Sequence, residues 1–187
     1  MNRVLRKSPL YCHPATPAPD IMLAHYFHVT PEGRLTVSYV LRADPAILNL
    51  PDPVPNPQRR DGLWRTTCFE AFIRMEGEEG YRELNFAPSG DWAAYRFTRY
   101  REGMAHEEVS EPPALVIEPY ESGHVYRYTL AAPWLADPRR WHVALTAVIE
   151  DHAGAISYWS MQHPAGPPDF HHADNYARML GAPGEQL

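Results

Sequence analysis

Twenty prolines run through this chain of 187 residues from one end to the other. Proline fixes φ and removes a backbone donor, so it interrupts helices and the middle of sheets. A chain punctuated this way is steered toward many short strands joined by turns. The residue pattern agrees. In GRLTVSYVLRA, Leu35, Val37, Tyr39 and Leu41 share one face, which is the period of a half-buried strand. The TPEG before it, Thr30–Gly33, is turn chemistry and predicts a hairpin with IMLAHYFHVT.

The stretch Leu63–Met104 reads as three further strands in a meander. LWRTTCFEAFIRM sets Thr67, Phe69, Ala71 and Ile73 on one face and Cys68, Glu70 and Phe72 on the other. YRELNF sets Tyr81, Glu83 and Asn85 opposite Arg82, Leu84 and Phe86, and WAAYRFT follows. ALVIEPY, HVYRYTLA, HVALTAVIED and AISYWSMQ supply later strands, with Glu121–Gly123 and His152–Gly154 as hairpin loops. APWLADPRRW predicts a short helical turn with Pro133 at its start, and HHADNYARML a brief C-terminal helix capped by Asp174. About nine strands and almost no helix give an all-β, antiparallel β-sandwich with one or two short helical turns.

Length fits a single domain, residues 1–187, with its core over about 20–172 and peripheral N- and C-terminal segments. A chain of this size buries roughly two-thirds of its unfolded surface and needs no disulfide or metal to fold. The net charge is −6 with no basic stripe, which argues against nucleic acid as a partner. Cys12 and Cys68 are too few for a disulfide framework. No segment approaches the roughly 20 apolar residues of a membrane helix, and the start lacks the apolar run of a signal peptide. The expectation is a cytoplasmic protein with reduced thiols, free of membrane.

The polar content of the meander is the unusual feature. One strand face carries Glu70, then Glu83 and Asn85, with Arg96 on the strand after. Such groups are either the solvated side of a sheet, paired across strands, or the lining of a site. The proline-rich excursion Asp44–Gly62 and the segment HPAGPPDFHH, His163–His172, are candidate rims.

Taken together, LWRTTCFEAFI, YRELNFAPSGDWAAYRF, YREGM and SYWSMQHPAGPPDFHH resemble the DOMON-like domains related to carbohydrate-binding module family nine, over roughly Arg34–His172. The resemblance implies a two-sheet antiparallel sandwich. It also implies a ligand, a sugar in some members and haem in others, held against one sheet or at the rim. In the resembling modules paired tryptophans clamp a sugar, and Trp64 and Trp159 are the candidates here.

The leading expectation is a non-catalytic module for a sugar or sugar-derived ligand, its site drawn from Trp64, Glu70, Glu83, Asn85, Arg96, Trp159, His163 and His171. Aromatic faces would pack on the ring, and planar polar groups would orient its hydroxyls. The first alternative is a haem or redox-cofactor domain. Met104, Met161, His163, His171 and His172 are available as axial ligands, and with no CxxCH the haem would not be covalently attached. The second alternative is an enzyme, built on Glu70 and Glu83 as acid and base or on a divalent metal such as zinc or calcium. Asp169, His171 and His172 with Glu70 or Glu83 are the candidate ligands for zinc. Asp91 and Asp169 are the candidates for calcium. Cys68 beside His163 or His171 would be a nucleophile pair, although a Cys inside a strand is more often a small core residue. The sequence contains no GxSxG, P-loop, GxGxxG or HExxH.

Overall fold

A computed structural model describes residues 3–176 and 178–180. Its strands are β1 (Arg3–Cys12), β2 (Met22–Val29), β3 (Arg34–Arg42), β4 (Cys68–Met75), β5 (Tyr81–Phe86) and β6 (Trp92–Phe97). They continue with β7 (Ala105–His106), β8 (Ala114–Tyr120), β9 (Gly123–Ala131), β10 (Trp141–Glu150), β11 (Ile156–Ser160) and β12 (Arg178–Leu180). Every pairing between these strands is antiparallel, and the order β7-β6-β5-β4-β10-β11-β1-β2-β3-β9-β8 makes one curled sheet that folds into two layers. β1 is the corner. Its first part pairs with β2, a register irregularity lies between Leu5 and Ser8, and Tyr11–Cys12 then pairs with β11.

The first layer is β8-β9-β3-β2-β1, and the second is β11-β10-β4-β5-β6-β7 with β12 beside β10. The core lies between them. Leu35, Val37, Tyr39 and Leu41 point inward from β3, as their spacing predicts, and meet Phe69, Ala71 and Ile73 of β4. Tyr39 stacks on Phe69 with ring centroids 4.7 Å apart, and its hydroxyl donates to the backbone carbonyl of Glu70 at 2.5 Å. That bond crosses the core and fixes β4 against β3.

Two elements differ from the sequence reading. The N-terminal segment, expected at the periphery, is the strand that joins the layers; Pro9 and its mixed charges hid the alternation. The expected C-terminal helix is a single 3-10 turn, Ala173–Asn175, followed by β12. His172 rather than Asp174 caps the turn, its ring nitrogen accepting from the Asp174 N–H at 3.2 Å. The tail GAPGEQL lies outside the described residues. Both cysteines are free. Among the described residues no helix is long and apolar enough to cross a membrane.

Candidate functional site

The second layer is buried on both faces. Its inner face forms the core, and strict pairing fixes what the outer face carries. One row across the strands reads Ser160, Thr146, Glu70, Asn85, Ala93; the next reads Ala144, Phe72, Glu83, Tyr95, His106. Alternation therefore delivers two carboxylates to adjacent strands on one face, one row apart and diagonal to each other.

Three irregular segments cover that face. The 3-10 turn Leu63–Arg65 presents Trp64, the connection 98–104 presents Arg101 and Met104, and the segment 161–172 presents Pro168, Phe170 and His171. A cavity of about 450 Å³ lies between cover and sheet, with Glu70, Phe72, Glu83, Phe97, Val148 and Tyr158 as its sheet side. Trp64 stands at its rim, 36% exposed, edge-on to Tyr95 at 5.9 Å between centroids. Gly103 has φ +64 in the second cover segment, and a Cβ there would run into the Thr98 side chain. Glycine thus lets the chain turn tightly just before Met104.

Glu70 is 2% exposed and Glu83 5%. Glu83 Oε1 accepts from Asn85 Nδ2 at 2.7 Å, and Glu70 Oε2 accepts from the Thr146 hydroxyl at 3.3 Å. Glu70 Oε1 and Asn85 Oδ1 are buried and accept from nothing. Burial, and after it the charge of Glu83, pushes the Glu70 carboxyl well above the usual range. Burial lifts Glu83 to about 7, against the Asn85 hydrogen bond and the Arg101 charge, which pull it down.

The cover is tied to this floor. Arg101, in the left-handed region at φ 55, pairs with Asp169 at 2.8 Å, and Tyr100 donates to the same carboxylate at 2.6 Å. The Arg101 backbone N–H donates to Tyr81 Oη at 3.2 Å, and Tyr81 Oη lies 2.7 Å from His171 Nδ1. Tyr81 Oη thus links the Arg101 backbone to the His171 ring, whose Nε2 lies 3.9 Å from Glu83 Oε2. Burial and the Arg101 charge, opposed by Asp169, lower His171 to about 4, so the contact is neutral imidazole beside carboxylate rather than an ion pair.

Of the eight residues singled out in the sequence, Trp64, Glu70, Glu83 and His171 line the cavity. Asn85 sits in the floor, bonded to Glu83. Three lie elsewhere. Arg96 pairs in register with Arg82, not Glu83, so it projects from the opposite face and is exposed. Trp159 pairs with Ala147 and points into the core at 6% exposure, donating to Ser157 Oγ; its neighbour Tyr158 takes the cavity. His163 is held at the β1 corner, with Nε2 2.8 Å from the Tyr11 carbonyl and its ring 4.8 Å from that of His13. Sequence reasoning missed Phe97, Arg101 and Phe170, and reached Met104 only as a candidate axial ligand. Alternation gives Phe97 once the register is known, whereas the other three lie on segments without a period.

Among the described residues no three His, Cys, Asp or Glu side chains are grouped to hold a metal ion. Asp169 is committed to Arg101 and Tyr100, and Asp91 to Arg60 at 2.7 Å. Cys68 is fully buried, and burial pushes its thiol well up, which leaves it a poor nucleophile. Met104 and His171, both named as axial candidates, line one cavity.

No family model matches the chain, and no curated protein matches it significantly in sequence. Solved structures do match. A protein of Bacteroides uniformis ATCC 8492 named "putative carbohydrate-binding protein" superposes with a TM-score of 0.62 at 12% identity, over 94% of this chain and 84% of that one. A family 9 carbohydrate-binding module of Caldicellulosiruptor kristjanssonii, in complex with glucose, aligns with a TM-score of 0.46 at 9% identity, over 80% and 71%. At such identity the Bacteroides likeness is one of fold: an antiparallel β-sandwich shared along most of both chains.

Proposed function

We propose that this protein is a saccharide-binding module whose ligand lies in the cavity over β4, β5 and β10. One observation carries the reading: a cavity with aromatic walls stands on a floor that holds a buried carboxylate oxygen with no donor. A buried acceptor left unpaired costs about 1–3 kcal/mol, and a hydroxyl-rich ligand recovers it. Pyranose C–H groups pack on aromatic faces while the hydroxyls seek carboxylates and amides, and Trp64, Tyr158 and Phe170 beside Glu70 and Glu83 supply both. The size suits one or two sugar rings, since ligand pockets run from about 300 to 1,000 Å³. The shared fold with the Bacteroides protein supports the same class.

Binding without turnover is part of the proposal. Hydrolysis of a glycosidic bond needs carboxyl groups that flank it, acid and nucleophile or base on different sides. Glu70 and Glu83 lie side by side on one sheet face and approach a ligand from the same side. Calorimetric titration with mono- and disaccharides, with haem as a separate arm, tests the reading. The expected result is saturable saccharide binding that weakens about tenfold in Trp64→Ala, with the sugar recovered intact. A Soret band on adding haem, with no sugar response, would overturn it.

A further inference from the structure

The floor of the cavity is unbalanced in a way that narrows the ligand. Glu70 Oε1 and Asn85 Oδ1 are buried without a donor, and His171 Nε2 stands 3.9 Å from Glu83 Oε2, beyond hydrogen-bond range. That makes three acceptors. The Thr146 hydroxyl is used on Glu70 Oε2, and one of the two Asn85 amide hydrogens on Glu83 Oε1. A sugar hydroxyl brings one proton and its own lone pairs, so it meets one acceptor and adds more. A primary ammonium brings three N–H donors, no acceptor, and a positive charge.

We infer that the saccharide this cavity selects carries a free primary amine, an amino sugar whose ammonium seats beside Glu70 and Glu83, the two carboxyl groups that line it. The inference rests on the saccharide reading and specifies its ligand. The aromatic walls fit the same group, because a cation beside aromatic rings is favoured most where water is excluded. Without a ligand, a proton retained on Glu70 supplies one of the missing donors, in line with the raised carboxyl there. Seating the ammonium displaces that proton, so binding and proton release are linked.

The linkage has a definite sign. The titratable and charged groups around Glu83 are Cys68 and Glu70 on β4, Tyr81 on its own strand, Tyr95 on β6, Tyr176 before β12, and Arg101, Asp169 and His171 in the cover. Burial keeps Cys68 and the three tyrosines neutral, His171 is neutral above about pH 4, and Arg101 and Asp169 offset each other. Among these groups Glu83, raised to about 7, gains negative charge between pH 5.5 and 7, and any charge that Glu70 gains has the same sign. An amino sugar stays cationic through that window and binds more tightly at its upper end; a neutral sugar gains nothing from the added charge.

Titration of the intact protein with D-glucosamine, D-glucose and N-acetyl-D-glucosamine at pH 5.5 and 7, in two buffers of different ionisation enthalpy, tests this. Glucosamine is expected to bind at least about tenfold more tightly than the other two at pH 7. Its affinity should fall by about tenfold at pH 5.5, with proton release visible as a buffer-dependent heat. In Glu83→Gln the preference should collapse toward unity. The pH comparison needs no variant, so it stands even if that variant folds poorly. Equal binding of glucose and glucosamine, or tightest binding of the N-acetyl sugar, would overturn this inference and leave the saccharide reading intact. Binding of none of the three at millimolar concentration would overturn both.

Discussion

The outer face of the first layer is left to water, and that of the second is roofed by three loops. On the first, polar side chains pair loosely at the surface, Arg42 with Glu121 at 2.9 Å and Arg127 with Glu118 at 2.8 Å, and Val116 remains 47% exposed. On the second, Glu70, Glu83, Asn85 and Thr146 are all but sealed from solvent. The same residue types therefore mean different things. A charged group on the open face is solvated and costs nothing, so it says little about function. A carboxylate under a roof must find a proton, a donor or a ligand. The comparison locates the site: polar residues carry information where the fold makes them expensive.

The largest test of that contrast is packing. Phe72→Ala, under the roof, should lose about 3–5 kcal/mol in chemical denaturation. Val116→Ala, on the open face, should stay within about 0.5 kcal/mol. Similar losses at both sites would mean that the roof does not close over the second layer.

The pH dependence sharpens the contrast further. Glu83 is raised from 4.5 to about 7, so between those values the folded protein holds more protons than the unfolded chain, and stability falls as pH rises. The full swing for Glu83 is about 3 kcal/mol. Glu70, also raised, adds a slope of the same sign. His171, lowered from 6.5 to about 4, acts the other way: the unfolded chain holds the extra proton, and stability rises with pH across that window. His142 and His163, also lowered by burial, act as His171 does, so the carboxylate contribution is read as the difference between the parent and Glu70→Gln/Glu83→Gln. Without the two carboxylates the melting midpoint should rise relative to the parent from about pH 5 to 7. A double variant that follows the parent's pH profile would place the titration elsewhere.

The remaining two effects are smaller. Trp64→Ala should cost about 1.4 kcal/mol of saccharide binding, a tenfold change, with little change in folding because the ring stands at the rim. Arg127→Ala, which breaks the pair with Glu118, should cost at most about 0.5 kcal/mol, and the loss should vanish in 1 M salt. A larger, salt-independent loss would mean that the open face is not open.

Much of the strand framework was legible, because period two survives in β3, β4 and β5 whatever covers them. The corner strand β1 was not, since Pro9 and a register irregularity break its alternation. Alternation also gives parity within a strand but not which face a strand turns to its neighbours. Arg96 and Trp159 each went to the wrong side for that reason, with Tyr95 and Tyr158 one residue away on the cavity face. The roof was the least legible part. Arg101, Met104 and Phe170 sit on irregular chain, where position follows from long-range contacts such as Arg101 with Asp169, which no local spacing encodes.

The most direct test of the account is a ¹⁵N amide and indole titration with a saccharide, followed residue by residue. The account predicts shifts confined to the Trp64 indole, the Glu70–Phe72 and Glu83–Asn85 segments, and the Arg101 and His171 amides. Shifts confined to the proline-walled groove between Pro53–Gln58 and Leu115, with the floor of the cavity unmoved, would contradict it.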